Sequence, residues 1–124
     1  MPRPPLDRQG ATVTPQTRAR EWVFRISNPT GTGEEYANLL GSKENIRYFS
    51  FQLEVGEGGT PHFQGYIELK KQTVFNSVKK LLGANVHLEK RRGTRAQARD
   101  YTQKDDTRSD GPWEGGEWRD TAQG

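Results

Sequence analysis

"IRYFSFQLEV" (46–55) and "HFQGYIEL" (62–69), separated by the turn-rich "GEGGT" (56–60), decide the fold. In the first run Phe49, Phe51, Leu53 and Val55 share one side, and Tyr48, Ser50, Gln52 and Glu54 share the other. In the second, Phe63, Ile67 and Leu69 point to a core while His62, Gln64, Tyr66 and Glu68 point away. A strict period of two is the pattern of half-buried strands, and a glycine-rich loop between two such runs predicts an antiparallel hairpin. Gly65 falls on the core side, where the missing side chain suits a helix passing close.

The pattern extends outward from this hairpin. "EWVFRIS" (21–27) alternates too, with Trp22, Phe24 and Ile26 on one side, and "NPTGTG" stops it. Thr32 and Glu35 have capping-box spacing ahead of a short helix that carries Tyr36, Leu39 and Leu40 and ends at Gly41. In "TVFNSVKKLLG" (73–83) Val74, Phe75, Val78, Leu81 and Leu82 recur at helical spacing. "NVHLEK" (85–90) is a further strand, and Thr94 with Gln97 opens a helix over about 95–104. The segment after it adds at most a short final strand. The order β-α-β-β-α-β-α predicts an α+β fold: an antiparallel sheet of four to five strands, helices mainly on one face, in a ferredoxin- or RRM-like outline. The opposite sheet face is expected to be open and polar, a surface suited to single-stranded nucleic acid.

Composition narrows the class. The chain has 124 residues, 30% of them hydrophobic, and no cysteine. That fits one small domain with polar tails and excludes disulfides and thiolate chemistry. The expected layout is a disordered basic arm over 1–20, a domain over 21–118 and a frayed tail over 119–124. There is no apolar run long enough to span a bilayer and no signal-like apolar core, so neither a membrane partner nor export is expected. A net charge of +3 and a pI near 9.3 favour an anionic partner.

In "TPHFQG" (60–65) His62 and Gln64 stand on one side of a strand, about 7 Å apart along the chain. Hairpin pairing brings Glu54 next to His62. A carboxylate, an imidazole and an amide oxygen on one patch suit Mg²⁺ or Mn²⁺ better than Zn²⁺. The competing reading is a solvated polar strand face. Tyr101 and Lys104 are spaced to be neighbours on the last helix, and there the competing reading for Tyr101 is burial beside Ala98.

Three of these stretches together resemble the HUH endonucleases, the rolling-circle replication initiators of circular single-stranded DNA viruses, and the circovirus-like members in particular. "WVFRISNP" is similar to their first motif, "TPHFQG" to the His-hydrophobe-Gln form of the second, and "YTQK" (101–104) to the Tyr-x-x-Lys third. Gln64 stands where the broad superfamily has a second histidine.

The resemblance implies a metal-dependent, sequence-specific nicking and joining endonuclease. Glu54, His62 and Gln64 would hold Mn²⁺ or Mg²⁺. Tyr101 would attack a phosphodiester to give a 5′-phosphotyrosyl link, with Lys104 assisting. Arg25, Asn28, Tyr48, Tyr66, Lys90, Arg91, Arg92, Arg95 and Arg99 are expected DNA contacts, with His87, Glu89, Asp105 and Asp106 as possible supports around the metal. The implied partner is single-stranded DNA at an origin stem-loop. The full-length protein is expected to carry a helicase domain, to oligomerise and to act in a host nucleus. The alternative is a non-catalytic RRM-like binding module.

Overall fold

The hairpin forms in the expected register, Glu54 opposite His62, Gln52 opposite Gln64 and Phe51 opposite Gly65. The computed structural model describes residues 14, 16–56, 58–83 and 85–119. Its elements are β1 (Arg18–Ser27), α1 (Gly33–Gly41), β2 (Ile46–Val55), β3 (Pro61–Val74), α2 (Phe75–Leu82), β4 (His87–Lys90), α3 (Arg95–Tyr101) and β5 (Arg108–Gly116). They build one five-stranded sheet in the order β4-β1-β3-β2-β5. Every neighbouring pair is antiparallel. The α+β outline expected from the alternation is therefore the observed fold.

Both predicted capping boxes are present. Thr32 accepts from the Glu35 backbone while Glu35 accepts from the Thr32 backbone, and Thr94 and Gln97 repeat the exchange. Each satisfies two amides that a helix start leaves unpaired. Several boundaries differ from the sequence reading. Strand β1 begins at Arg18, because Arg18 and Ala19 pair with Val74 and Thr73 at the far end of β3. That pairing draws 70–74 into β3, so α2 starts only at Phe75. Of the expected N-terminal arm, residues 1–13 and 15 lie outside the described residues, as does 120–124 of the expected tail. Helix α3 stops at Tyr101, earlier than expected, with Thr102 as its C-cap. Strand β5 is longer than expected and pairs with β2, and its Trp113 stacks on Phe51 with centroids 5.1 Å apart.

One sheet face carries the apolar core. Trp22, Phe24, Phe51, Ile67 and Leu69 meet Leu40 of α1 and Val78 and Leu82 of α2 there. Gly65 lacks a side chain for a different reason than expected. The nearest atoms to a Cβ at Gly65 would be those of the Phe24 ring, its partner across β1 and β3, with which it would collide.

The other face is not open. Helix α3 lies across it, so Tyr48 and Tyr66 are buried against Ala98, with Val23 and Trp118 alongside. The seat beneath α3 is polar and bonded. Arg95 in the helix's first turn donates to both Glu68 oxygens, at 2.5 and 2.9 Å, and Arg47 donates to Glu68 at 2.8 Å. At the other end Gln103 donates to Ser50 Oγ at 3.0 Å, Ser50 meets Thr102 Oγ1 at 2.7 Å, and Thr102 donates to the Arg99 carbonyl at 2.7 Å. One direction of donation satisfies the whole chain: Gln103 to Ser50, Ser50 to Thr102, Thr102 to Arg99.

Candidate active site

The bonded seat fixes where α3 ends, and its last residue is Tyr101. The sequence has 4 tyrosines. Three are committed, Tyr48 and Tyr66 buried and Tyr36 partly so: Tyr36 donates to the Leu82 carbonyl at 2.7 Å, Tyr66 to Glu68 at 2.6 Å, and Tyr48 to Glu114. Burial raises all three hydroxyls above the ordinary phenol range, and for Tyr48 and Tyr66 the neighbouring carboxylates Glu114 and Glu68 add to it. Tyr101 differs. It is 46% exposed and its hydroxyl makes no hydrogen bond among the described residues. The burial read as the alternative for Tyr101 is not what the structure shows.

Lys104 lies beyond the helix rather than on it, yet the two side chains still meet, with the Lys104 ammonium 4.2 Å from the centre of the Tyr101 ring. Tyr101 lines a shallow groove with Arg25, Gln64, His87 and Glu89 on one side. On the other side the groove continues along Gln64, Arg92, Gly93 and Gln97. Gln64, on β3 of the hairpin, lines both halves together with Tyr101.

At the hairpin, Glu54 and His62 are both almost fully buried, and Glu54 Oε1 lies 3.3 Å from His62 Nε2. His62 Nδ1 is 3.3 Å from the Thr60 carbonyl, which can only accept. That contact makes Nδ1 the donor and leaves Nε2 facing the carboxylate oxygen. Gln64, next along the same strand face, has a side chain with no hydrogen bond among the described residues. A carboxylate oxygen, an imidazole nitrogen and a free amide oxygen are a donor set that fits Mg²⁺ or Mn²⁺. Among the described residues no group of three or more His, Cys, Asp and Glu side chains is placed to hold a metal ion.

The expected DNA contacts divide. Tyr48 and Tyr66 cannot stack on bases, because α3 covers them. Arg95 is 9% exposed and bound to Glu68, and Arg99 is bound to Glu114 and Tyr48. Both guanidinium groups lie over the ring of Trp118. Tyr48, Tyr66 and Arg95 are corrections, being buried in the seat of α3, and the partly exposed Arg99 also helps to hold that helix. Arg91 bonds the Gly93 carbonyl at 2.6 Å and lies 3.7 Å from Glu21. Arg25, Asn28, Lys90 and Arg92 remain at least partly exposed, Arg25 and Arg92 along the groove itself. Asn28 has a positive φ of 51° and its backbone donates to Pro61, which closes the turn after β1. His87 and Glu89 pair with each other at 2.9 Å inside the groove wall. Asp105 is bound to Arg108 at 2.7 Å, and Asp106 is exposed. The sequence reading missed the roles of Glu68, Arg47, Ser50, Thr102 and Trp118. A signal was available: a face mixing Tyr48, Tyr66, Ser50 and Gln52, without lysine, is unlike a solvated one.

With this geometry in hand, the match to known proteins is direct. The profile of the family described as "Putative viral replication protein" matches residues 19–105. The chain belongs to this family. Its relatives include the master replication protein of Subterranean clover stunt virus (strain F), 43% identical over 80% of this chain and 32% of that protein. The master replication protein of Faba bean necrotic yellows virus (isolate Syrian SV292-88) is 45% identical over 78% of this chain and 31% of its own length. The replication-associated protein of Porcine circovirus 1 is 39% identical over 73% of this chain and 29% of its own. The resemblance drawn from the three motifs is thereby borne out. The chain spans about a third of the length of the curated relatives it matches. Among the described residues no helix is long and apolar enough to cross a membrane.

Proposed function

We propose that this viral replication domain nicks and rejoins single-stranded DNA by tyrosine transesterification. The observation that carries the reading is the contrast among the tyrosines. Tyr101 alone among the described tyrosines offers an exposed hydroxyl without a hydrogen-bond partner, and it does so in a groove shared with Gln64. Its oxygen attacks the scissile phosphorus. A Tyr101 O–P bond forms, the P–O3′ bond breaks, and the 3′-oxygen leaves and takes up a proton. The product is a 5′-phosphotyrosyl ester with a free 3′-hydroxyl, and the reverse reaction joins ends. The Lys104 ammonium beside the ring favours the phenolate as the hydroxyl proton departs to solvent. Glu54, His62 and Gln64 hold the divalent ion, whose contribution when bound is to polarise the phosphate. Arg25 and Arg92 along the groove neutralise the DNA backbone, so binding weakens with salt.

An RRM-like binding module would use exposed sheet-face aromatics. Here Tyr48 and Tyr66 are under a helix, which leaves that alternative without its platform. The test is incubation with a stem-loop oligonucleotide labelled 3′ of the nick, with MnCl₂ or with EDTA. A denaturation-resistant protein–DNA band that requires Mn²⁺ is expected. Its absence across origin-like sequences, in a chain that still binds the DNA, would overturn the proposal.

A further inference from the structure

Gln52 is fully buried on β2, two residues before Glu54. Its Nε2 donates in two directions, to Glu54 Oε2 at 2.8 Å and to the Lys104 carbonyl at 2.9 Å. Its Oε1 is buried and has no hydrogen-bond partner among the described residues. The amide orientation is therefore forced. Turned over, it would set its oxygen against two acceptors and strand both of them. One –NH₂ group thus joins the carboxylate at the hairpin to the segment that follows Tyr101.

We propose that Gln52 is a positioning residue for the metal site. It binds Glu54 Oε2 and leaves Oε1 as the oxygen turned to His62, and through its second hydrogen it ties that carboxylate to the Tyr101–Lys104 segment. The inference rests on the metal reading above and adds to it a coupling: the residue that orients a ligand also seats the nucleophile's segment. Hydrogen-bond partners of metal ligands set affinity by fixing the ligand's rotamer, and their loss typically weakens binding about 10- to 100-fold.

The test measures Mn²⁺ binding without DNA, by the loss of the free-ion EPR signal, on the whole chain. Wild type, Gln52→Met, Ser50→Ala and His62→Ala are compared, each checked for folding by its melting curve. Gln52→Met keeps the volume and removes the donors. It is expected to weaken Mn²⁺ binding by about tenfold or more. Ser50→Ala loosens the same helix without touching Glu54 and should leave Mn²⁺ affinity as in wild type. A folded Gln52→Met chain with wild-type affinity would overturn the inference and leave the metal reading intact. Failure of wild type to bind Mn²⁺, or undiminished binding by His62→Ala, would bring down the metal reading itself. Should Gln52→Met not fold, wild type alone still decides. Mg²⁺ should slow amide exchange over 102–104, and unchanged exchange there in the Mg²⁺-bound chain refutes the coupling.

Discussion

The two faces of the sheet are buried by different means. Under α1 and α2 the contact is aromatic and aliphatic: Phe51 lies 5.0 Å from Phe63, 5.1 Å from Trp113 and 5.4 Å from Tyr36, ring centre to ring centre. Under α3 it is a set of directed bonds from Glu68, Ser50 and Gln52, with Tyr48 and Tyr66 between them. Apolar packing tolerates small shifts, because it depends on area rather than on angle. Directed bonds do not. The face that must aim one phenol at one patch is the face built from directed bonds.

The sharpest way to separate the two faces is to remove function from one and stability from the other. Tyr101→Phe deletes a hydroxyl with no partner among the described residues, so melting should shift by less than the effect of an ordinary surface change, about 0.5 kcal/mol. Covalent adduct formation should fall by on the order of 10⁴-fold or more, which is about 5 kcal/mol of transition-state stabilisation. Gel quantitation of the adduct beside a thermal melt reads both. Phe51→Ala should do the reverse. Loss of a fully buried ring costs about 3–5 kcal/mol, read by urea denaturation, and any surviving folded fraction should still carry an intact Tyr101 groove.

Next in size is the buried ion cluster under α3. Burial alone would raise the Glu68 carboxyl, but hydrogen bonds from Arg95, Tyr66 and Arg47 outweigh it and hold it below its ordinary value of 4.5. Glu68→Ala leaves Arg95 and Arg47 facing an empty site and should cost about 3 kcal/mol or more. The pH dependence has a definite sign. A depressed carboxyl stabilises the fold fully above its unfolded value near 4.5, and that contribution fades as pH falls through the lower folded value. Melting temperature should therefore drop steeply below about pH 4.5, and less steeply in Glu68→Gln. Equal acid sensitivity in the two chains would show that the cluster contributes nothing to stability.

The same contrast explains what was legible in sequence. Alternation in 46–55 and 62–69 gave strand identity, facing and the Glu54–His62 register, because the period of two is local and the loop leaves one natural pairing. The capping boxes at Thr32 and Thr94 were legible for the same reason. What covers the polar face was not. Alternation says that Tyr48, Gln52 and Glu68 share a side, yet it is silent on whether water or a helix lies there. That depends on α3 crossing the sheet, a contact between residues 27 positions apart for Glu68 and Arg95. Propensity also misjudged the end of α3, where Thr102 turns its hydroxyl back to the Arg99 carbonyl and caps the helix one turn early. Tyr101 and Lys104 were legible as a pair by spacing, though the helix that was to pair them stops between them.

The smallest expected effect probes the hydrogen-bond chain directly. Ser50→Ala removes the middle link, and Gln103 and Thr102 each lose a partner. Gln103 is only partly buried and turns to water, so the cost should be about 1 kcal/mol. Thr102→Val should cost a similar amount, since its hydroxyl also serves the Arg99 carbonyl. Two links of one chain are not independent, so the double variant should cost less than the sum, by about 0.5–1 kcal/mol. Additive losses in a double-mutant cycle would mean that Ser50 and Thr102 merely sit side by side. In that case α3 would be held by Arg95 on Glu68, by Arg99 on Glu114 and by the Gln52 bridge beyond its end, with no hydroxyl chain between them.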